Sequence, residues 1–237
     1  SNTGGLFGTE DIERPKEPSL PKLDQWPERE RLRKERDYLN FYISGHPLQE
    51  YALAVQSFST LLLSRVDPDK NGTVVRLCGL LSDVRTKLDK RENTFAIVKI
   101  EQYTGTVEGI LWNEKYKVYA ELLKADTVVV AIGKCEINGD AVKMVIDEVL
   151  TLEQAEKKFS KGYVVCIRPD LVIDEQLVKL KDRCNTSDAD DSLSFVVMHP
   201  EGKRQYSTMM KIKTSKENTA FLVSTFGESN VLIDTER

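Results

Sequence analysis

The spacing of apolar residues changes near residue 74, and this change constrains the fold more than any other feature of the sequence. Before it, apolar residues recur at helical spacing. After it, they follow five short strand-like runs, at 74–83, 95–102, 106–112, 127–137 and 141–150. A helical pattern, which Asn113 is predicted to cap, separates the third run from the fourth. Asn138 and Gly139 predict a tight hairpin between the last two runs.

Three strands, a helix and a two-stranded hairpin follow one another in the order of an OB-type barrel. The predicted fold class is therefore a five-stranded OB-type barrel, preceded by a helical segment and followed by a small β-α-β-β-α-β domain. Helices are expected at 28–44 and 47–58. The expected domain organisation is a flexible arm at 1–27, a helical linker segment at 28–72, the barrel at 73–152, a helical spacer at 153–161 and an α+β domain at 162–237.

The last domain is predicted from a second alternation of patterns. Strands are expected at 162–168, 192–199 and 230–233, with one or two more over 203–213, and helices at 174–184 and 215–226. This order indicates a small split α+β sheet. No glycine-rich phosphate loop accompanies it, so no nucleotide cofactor is expected.

Composition limits the kind of binding surface that the chain can carry. The net charge is −4 over 237 residues, so a nucleic-acid site must be a local basic patch on an acidic body. The four cysteines form no CxxC pair, and no apolar run is long enough for a membrane span. We therefore expect reduced thiols, no metal site, no membrane contact and a cytoplasmic location.

The strongest candidate site surrounds the turn between the first two barrel strands. Its predicted members are cations that would contact phosphates and aromatic rings that would stack bases: Arg85, Lys87, Lys90, Arg91, Lys99, Phe95, Tyr103 and Trp112. A second rim is expected at the hairpin, with Lys134 and Lys143 flanking it. The alternative is that Phe95 belongs to the core and Lys99 to an ordinary solvated face.

Other polar groups are not assigned chemistry. A loop contains Asp188, Asp190 and Asp191, but no supporting ligand is evident, and no metal is predicted. His46 lies between a glycine and a proline, where capping or packing at a helix junction is the expected role. Leu6 and Phe7 form an apolar pair in the predicted arm, which is a candidate linear motif for a partner's pocket.

Four stretches of sequence resemble a known family. They are 34–48, which reads KERDYLNFYISGHPL, together with 84–96, 103–105 and 122–124. In these stretches the chain resembles the alpha subunits of bacterial DNA polymerase III. Asn40 departs from the family, which usually has glycine there, and a helix interior tolerates this change.

The resemblance implies a role in replication. The family's polymerase and phosphoesterase domains lie upstream of the matched region, so no polymerase activity is expected here. The family's OB domain meets single-stranded template, and its last domain is associated with the clamp loader's tau subunit. Leu6 and Phe7 fall where the family carries a motif for binding the sliding clamp, although Thr3 stands in place of the family's glutamine.

The sequence therefore predicts a non-catalytic segment that binds single-stranded DNA through its barrel and replisome proteins through its arm and last domain. Two alternatives stay open. The first is a protein-interaction module in which the charge of the barrel is incidental, and the acidic balance of the chain favours it. The second is an RNA-binding barrel, such as the anticodon-binding domain of a synthetase.

Overall fold

The computed structural model describes residues 26–39, 42–139, 141–168, 174–184, 186, 188–199 and 201–235. The chain divides into two compact units, of which the first ends at Ser44 and the second runs from Gly45 to Arg237. The predicted arm at 1–27 lies outside the described residues except for its last two. The domain boundaries predicted at 73, 153 and 162 fall inside the second unit and stay predictions.

The first unit contains one described helix, α1 (Glu28–Leu39). The sequence pattern predicted that this helix would continue to residue 44, which is wrong, because residues 42–44 are not helical. The carboxylate of Glu35 accepts backbone hydrogen bonds from Ile43 at 2.7 Å and Ser44 at 2.9 Å. It also accepts one from the Ser44 hydroxyl, which is the main reason that the pKa of Glu35 is lowered. The chain after α1 is therefore held against the helix instead of extending it.

The second unit contains the predicted five-stranded barrel, which the structure confirms. Its strands are β1 Val74–Leu88, β2 Thr94–Gln102, β3 Gly105–Leu111, β4 Thr127–Asn138 and β5 Ala141–Leu150, with helix α3 (Asn113–Tyr119) after β3. The barrel is closed, with strand order β1-β2-β3-β5-β4. Neighbouring strands are antiparallel except for β3 and β5, which are parallel.

The barrel interior is filled by alternate residues of each strand, as the pleat requires. Fully buried apolar side chains from every strand form it, among them Leu77, Val98 and Val107. The backbones of β4 and β5 approach closely at the register shift between Ile132 and Gly133. A Cβ atom on Gly133 would lie 2.0 Å from the Val145 carbonyl oxygen, so only glycine fits at this point of β4.

Strand β1 is longer than the sequence pattern predicted. The pattern ended it at residue 83 and placed a bulge at Gly79; the strand continues to Leu88, and the irregularity lies between Leu81 and Asp83. Gly79 instead faces inward, where a Cβ atom would meet the Glu101 carbonyl oxygen at 2.6 Å. The last residues of β1 are polar because their outer side faces solvent, and this polarity made them look like a loop.

Two further helices flank the barrel. A 3-10 turn (Gln49–Tyr51) precedes α2 (Ala52–Phe58), where the sequence predicted a single helix. Helix α4 (Leu152–Phe159) begins with a capping box, in which the Thr151 hydroxyl and the Gln154 side chain each accept the other's backbone N–H. Within the part of the chain that the structure describes, no helix is long and apolar enough to cross a membrane.

A four-stranded sheet follows the barrel, and its element order confirms the predicted β-α-β-β-α-β domain. Its elements are β6 Ser160–Ile167, α5 Asp174–Arg183, β7 Asp191–His199, β8 Gly202–Ile212, α6 Lys216–Phe226 and β9 Val231–Thr235. The strand order is β8-β7-β6-β9. The expected split is wrong, because β6 and β7 pair directly and run parallel, with no strand between them.

One hydrophobic core joins the barrel to this sheet. It combines the outward side chains Cys78 and Leu80 of β1 with Phe58 of α2 and with Tyr163 of β6. Burial raises the pKa of the Cys78 thiol to about 12, so this thiol stays protonated. A polar contact reinforces the junction, since the Ser57 hydroxyl accepts the backbone N–H of Ile233 at 3.0 Å.

We predict that the barrel and the sheet unfold together. Phe58 is fully buried in the shared core, so Phe58→Ala should lower the free energy of unfolding by about 3–5 kcal/mol. Urea denaturation followed by far-UV circular dichroism and by tryptophan fluorescence should give coincident transitions, both shifted. Val118→Ala is the control, because Val118 is 70% exposed and its loss should cost less than about 0.5 kcal/mol. Two separate transitions would contradict the shared core.

Candidate nucleic-acid interface

The outward side chains of β2, β3 and β5, together with those of β1 from Asp83 onward, form one surface, called here the outer face. Strand register arranges them in rows, because residues directly opposite one another lie side by side on the same face. One row contains Arg85, Ile97, Ile110 and Val145, and the next contains Asp83, Lys99, Glu108 and Lys143. A third row, at the end nearest the β1–β2 turn, contains Lys87, Phe95 and Trp112.

Phe95 and Trp112 form an aromatic pair on the outer face. Their ring centroids lie 5.0 Å apart with an interplanar angle of 34°. Trp112 is 48% exposed, and Phe95 is half-buried outside both hydrophobic cores. The alternative that Phe95 is a core residue is therefore wrong, and the pair presents ring surface on which bases can stack.

The residue after Trp112 does not have its expected role. Asn113 was predicted to cap α3, but the capping position belongs to Trp112, which makes no side-chain capping bond. Asn113 is the first helical residue, and its side-chain oxygen is buried without a hydrogen-bond partner in the described part of the chain. The extended backbone of Trp112 still fixes where the indole leaves the strand.

The middle of the outer face is apolar. Ile97, Ile110 and Val145 are half-buried, and they continue the surface that the aromatic pair begins. Sequence reasoning placed Ile97 on the same side as Phe95 but did not connect it with Ile110 or Val145. Alternation within β3 and β5 would have found these two residues once the strand pairing was known.

The row beyond the apolar one carries charges of both signs. Arg85 lies 2.8 Å from the Asp83 carboxylate, and Lys143 lies 3.6 Å from that of Glu108. Both pairs are solvent-exposed, so each contributes at most about 1 kcal/mol to stability. The carboxylates reduce the positive potential of the outer face, and the sequence prediction did not include them.

The β1–β2 turn is built by Asp89. Its carboxylate accepts the backbone N–H groups of Asn93 at 2.9 Å and Arg91 at 2.7 Å. These bonds, first that from Asn93, lower the pKa of Asp89. Because the pKa is lowered in the folded chain, the stabilisation is present at neutral pH and is lost as the pH falls through the lowered value. The turn presents Lys90 and Arg91, both exposed.

Two of the cations that were assigned to this turn lie elsewhere. Arg85 and Lys87 belong to β1 and pair with Ile97 and Phe95 of β2. Their assignment to a loop is therefore corrected, because the bulge in β1 lets the strand continue past them. The correction places both cations beside the aromatic and apolar rows, within the outer face itself.

Tyr103 lies at the opposite end of β2 from Phe95. It is 44% exposed, and its hydroxyl donates to the Leu48 carbonyl oxygen at 2.5 Å. Partial burial raises the pKa of Tyr103, and the negative charge of Glu228 adds to this effect. The His46 ring packs against it at a centroid distance of 5.0 Å. His46 thus packs at the helix junction, one of its two expected roles, and its Nδ1 accepts the Leu48 backbone N–H at 3.1 Å.

The two cations predicted beside the hairpin both point outward. Lys143 is on the outer face, and Lys134 of β4 is directly opposite Val145, so it continues the row of Ile110 and Val145 by one strand. The Asn138–Gly139 hairpin is confirmed, with Gly139 at a φ of 60°. Leu6 and Phe7 lie outside the described residues.

The structural similarity to a solved single-stranded DNA binding protein is low. A mitochondrial single-stranded DNA binding protein from S. cerevisiae is 13% identical, with 33% of this chain and 92% of that chain covered, and the TM-score is 0.27. A likeness of this size says nothing about what the present chain binds.

Comparison of sequences gives the family. The model of the OB-fold nucleic acid binding domain matches residues 75–152. The DNA polymerase III subunit alpha of Neisseria meningitidis serogroup A is 28% identical over 99% of this chain and 20% of its own length. The serogroup B protein is 32% identical over 71% and 15%. The chain thus spans a fifth or less of the length of these curated relatives. It belongs to the DNA polymerase III alpha-subunit family, as a homologue of one segment that contains an OB-fold domain.

Proposed function

We propose that the outer face binds single-stranded DNA and that this segment performs no chemistry itself. The observation that carries the proposal is the Phe95–Trp112 pair with Lys87 beside it in the same row. Neither Lys87 nor Lys99 has an ion-pair partner among the described residues. Exposed rings next to available cations are the two elements that bind single strands without reading their sequence.

In this proposal the aromatic rings contact the bases, and the cations contact the phosphate backbone. Lys87, Lys90 and Arg91 lie at the end of the outer face, where they can neutralise phosphates as a strand enters. Trp112 and Phe95 can stack one or two bases, each contributing about 1–3 kcal/mol. Apolar side chains cannot form hydrogen bonds to base edges, so the proposed contact has little sequence preference.

The relatives support a place in replication. The Neisseria relatives are alpha subunits of DNA polymerase III, and this chain corresponds to a fifth or less of their length. We propose that the segment is an accessory of a cytoplasmic replicative polymerase whose active site lies elsewhere in the protein. We further propose that the last sheet contacts the clamp loader, and that Leu6 and Phe7 contact the sliding clamp.

One observation favours a protein-interaction module instead. On the outer face, the opposite charges within the Asp83–Arg85 pair and within the Glu108–Lys143 pair cancel, and the whole chain is acidic. A surface of mixed charge around an apolar row is also typical of weak protein contacts. RNA binding is the remaining alternative, and the titrations below, repeated with RNA of the same sequence, distinguish it from DNA binding.

We predict that DNA binding depends on the cations of the third row and the turn. Replacing Lys87, Lys90 and Arg91 together with glutamine should weaken binding of oligothymidylate at low salt about tenfold or more. It should also reduce the slope of log K against log salt by about 2, because each lost phosphate contact removes about 0.7. Fluorescence anisotropy across a salt series measures both quantities.

A matched control variant loses the same number of positive charges at positions away from the outer face. Lys179, Lys181 and Lys203 are exposed residues of α5 and β8, and their combined replacement with glutamine should leave the affinity nearly unchanged. Equal losses in the two variants would show that net charge, and not the outer face, governs binding. Undetectable binding by the unaltered protein would disprove the proposed function.

We predict that removing a carboxylate from the outer face strengthens binding. Glu108→Gln releases Lys143 and removes a negative charge, so the affinity for oligothymidylate should rise about 2- to 5-fold, the range expected for one exposed charge pair. Glu175→Gln is the control, because it releases Lys179 from a similar exposed pair at 2.7 Å on α5. If Glu108→Gln has no effect or weakens binding, the strand does not pass Lys143.

We predict that clamp binding requires the apolar pair in the arm. The double variant Leu6→Ala with Phe7→Ala should weaken binding to a bacterial sliding clamp at least about tenfold, since truncating two anchors removes most of a short motif's affinity. Surface plasmon resonance with an immobilised clamp measures this. The control replaces Leu20 and Leu23 of the same arm with alanine. If the two double variants bind alike, the motif has been misplaced.

A further inference from the structure

A second aromatic pair lies at the far end of β2. His46 and Tyr103 have ring centroids 5.0 Å apart, the same separation as Phe95 and Trp112. Phe95 is on the outward side of β2. Tyr103 is the first residue after the strand, and it packs against His46, whose ring lies beside the outward residue Glu101. At about 3.3 Å per residue, the two pairs are separated by about 26 Å along β2.

The second pair is held rigidly. The Nδ1 atom of His46 accepts the Leu48 backbone N–H, and its Nε2 atom lies 3.4 Å from the Glu101 carboxylate. The Tyr103 hydroxyl donates to the carbonyl oxygen of the same Leu48, whose side chain is fully buried. Both rings are therefore fixed by one anchored residue before any ligand arrives, which lowers the entropic cost of binding.

The charge at this end suits a base better than a phosphate. Glu101 lies beside the His46 ring, and its carboxylate repels phosphate oxygens. Tyr103 is almost as exposed as Trp112, at 44% against 48%, so comparable ring surface is available at both ends. The cation Lys99 lies between the two pairs on β2, on the same outward side, where the backbone of a strand would pass.

We propose that His46 and Tyr103 form a second base-stacking position for the strand that the Phe95–Trp112 pair binds first. The site then includes the segment before the barrel as well as the barrel itself. A strand stacked at about 3.4 Å per nucleotide needs about eight nucleotides to connect the two pairs, and a more extended strand needs fewer. This proposal rests on the proposed function and specifies the length of ligand that the site takes.

Histidine spectroscopy tests the proposal directly, because the sequence contains only two histidines. His199 ends β7, in the other sheet, and serves as the internal reference. The protein with labelled histidine is titrated with oligothymidylates of about 3 and about 12 nucleotides, lengths that bracket the expected span. The His46 ring signals should shift at saturation with the longer strand and stay in place with the shorter one, and the His199 signals should not move.

Variants add a test by affinity. Tyr103→Leu should weaken binding of the longer strand about 5-fold or more, as expected for one lost stacking contact, and leave the shorter strand unaffected. Trp112→Ala should weaken both. His46→Asn removes the ring but keeps a short side-chain oxygen for the Leu48 N–H, and it should behave like Tyr103→Leu. Thermal denaturation of each variant confirms that it is folded.

The outcomes separate this inference from the proposed function. If the longer strand binds and Trp112→Ala weakens it, but the His46 signals do not move, the second stacking position is wrong and the proposed function stands. If Tyr103→Leu and His46→Asn weaken both lengths equally, the pair does not act at a distance, and the inference is wrong as well. If neither strand binds, both proposals fail together.

Discussion

The irregularity between Leu81 and Asp83 is the constraint on which the rest of the barrel depends. In β1, Leu81 pairs with Ile100 on the inside, whereas Asp83 pairs with Lys99 on the outside. One extra residue therefore changes which side chains face outward, from even-numbered positions before the irregularity to odd-numbered positions after it. Without it, the alternation would direct Arg85 and Lys87 into the barrel, where unpaired charge is too costly.

Because of this irregularity, the two halves of β1 direct their outward side chains into different surroundings. Before the irregularity, the outward side chains Cys78 and Leu80 are buried beneath α2 and the second sheet. After it, the outward side chains are charged and solvated, and they border the aromatic pair. The barrel thus uses one side for packing and leaves the outer face accessible. The position of the second sheet therefore decides which outward side chains of the barrel stay exposed to solvent.

Much of this fold could be predicted from the sequence, and the predictions failed where the structure depends on residues that are distant in the sequence. The order of elements and the Asn138–Gly139 hairpin depend on local patterns, and both were predicted correctly. The course of β1 past residue 83 was not, because a polar strand edge and a loop have the same composition. Pairing between distant strands was also out of reach, so neither the row that joins Ile97 to Ile110 and Val145 nor the direct pairing of β6 with β7 was found.

The proposed interface differs from a strongly basic groove in a way that decides how it would work. Its carboxylates, Asp83, Glu101 and Glu108, lie among its cations, so phosphate neutralisation supplies only part of the binding free energy. The aromatic pairs must then supply a large share, and stacking does not distinguish one base from another. A surface of this kind holds a strand weakly at any one position and accepts whichever bases arrive next. That property suits an accessory that must release the strand as it moves past.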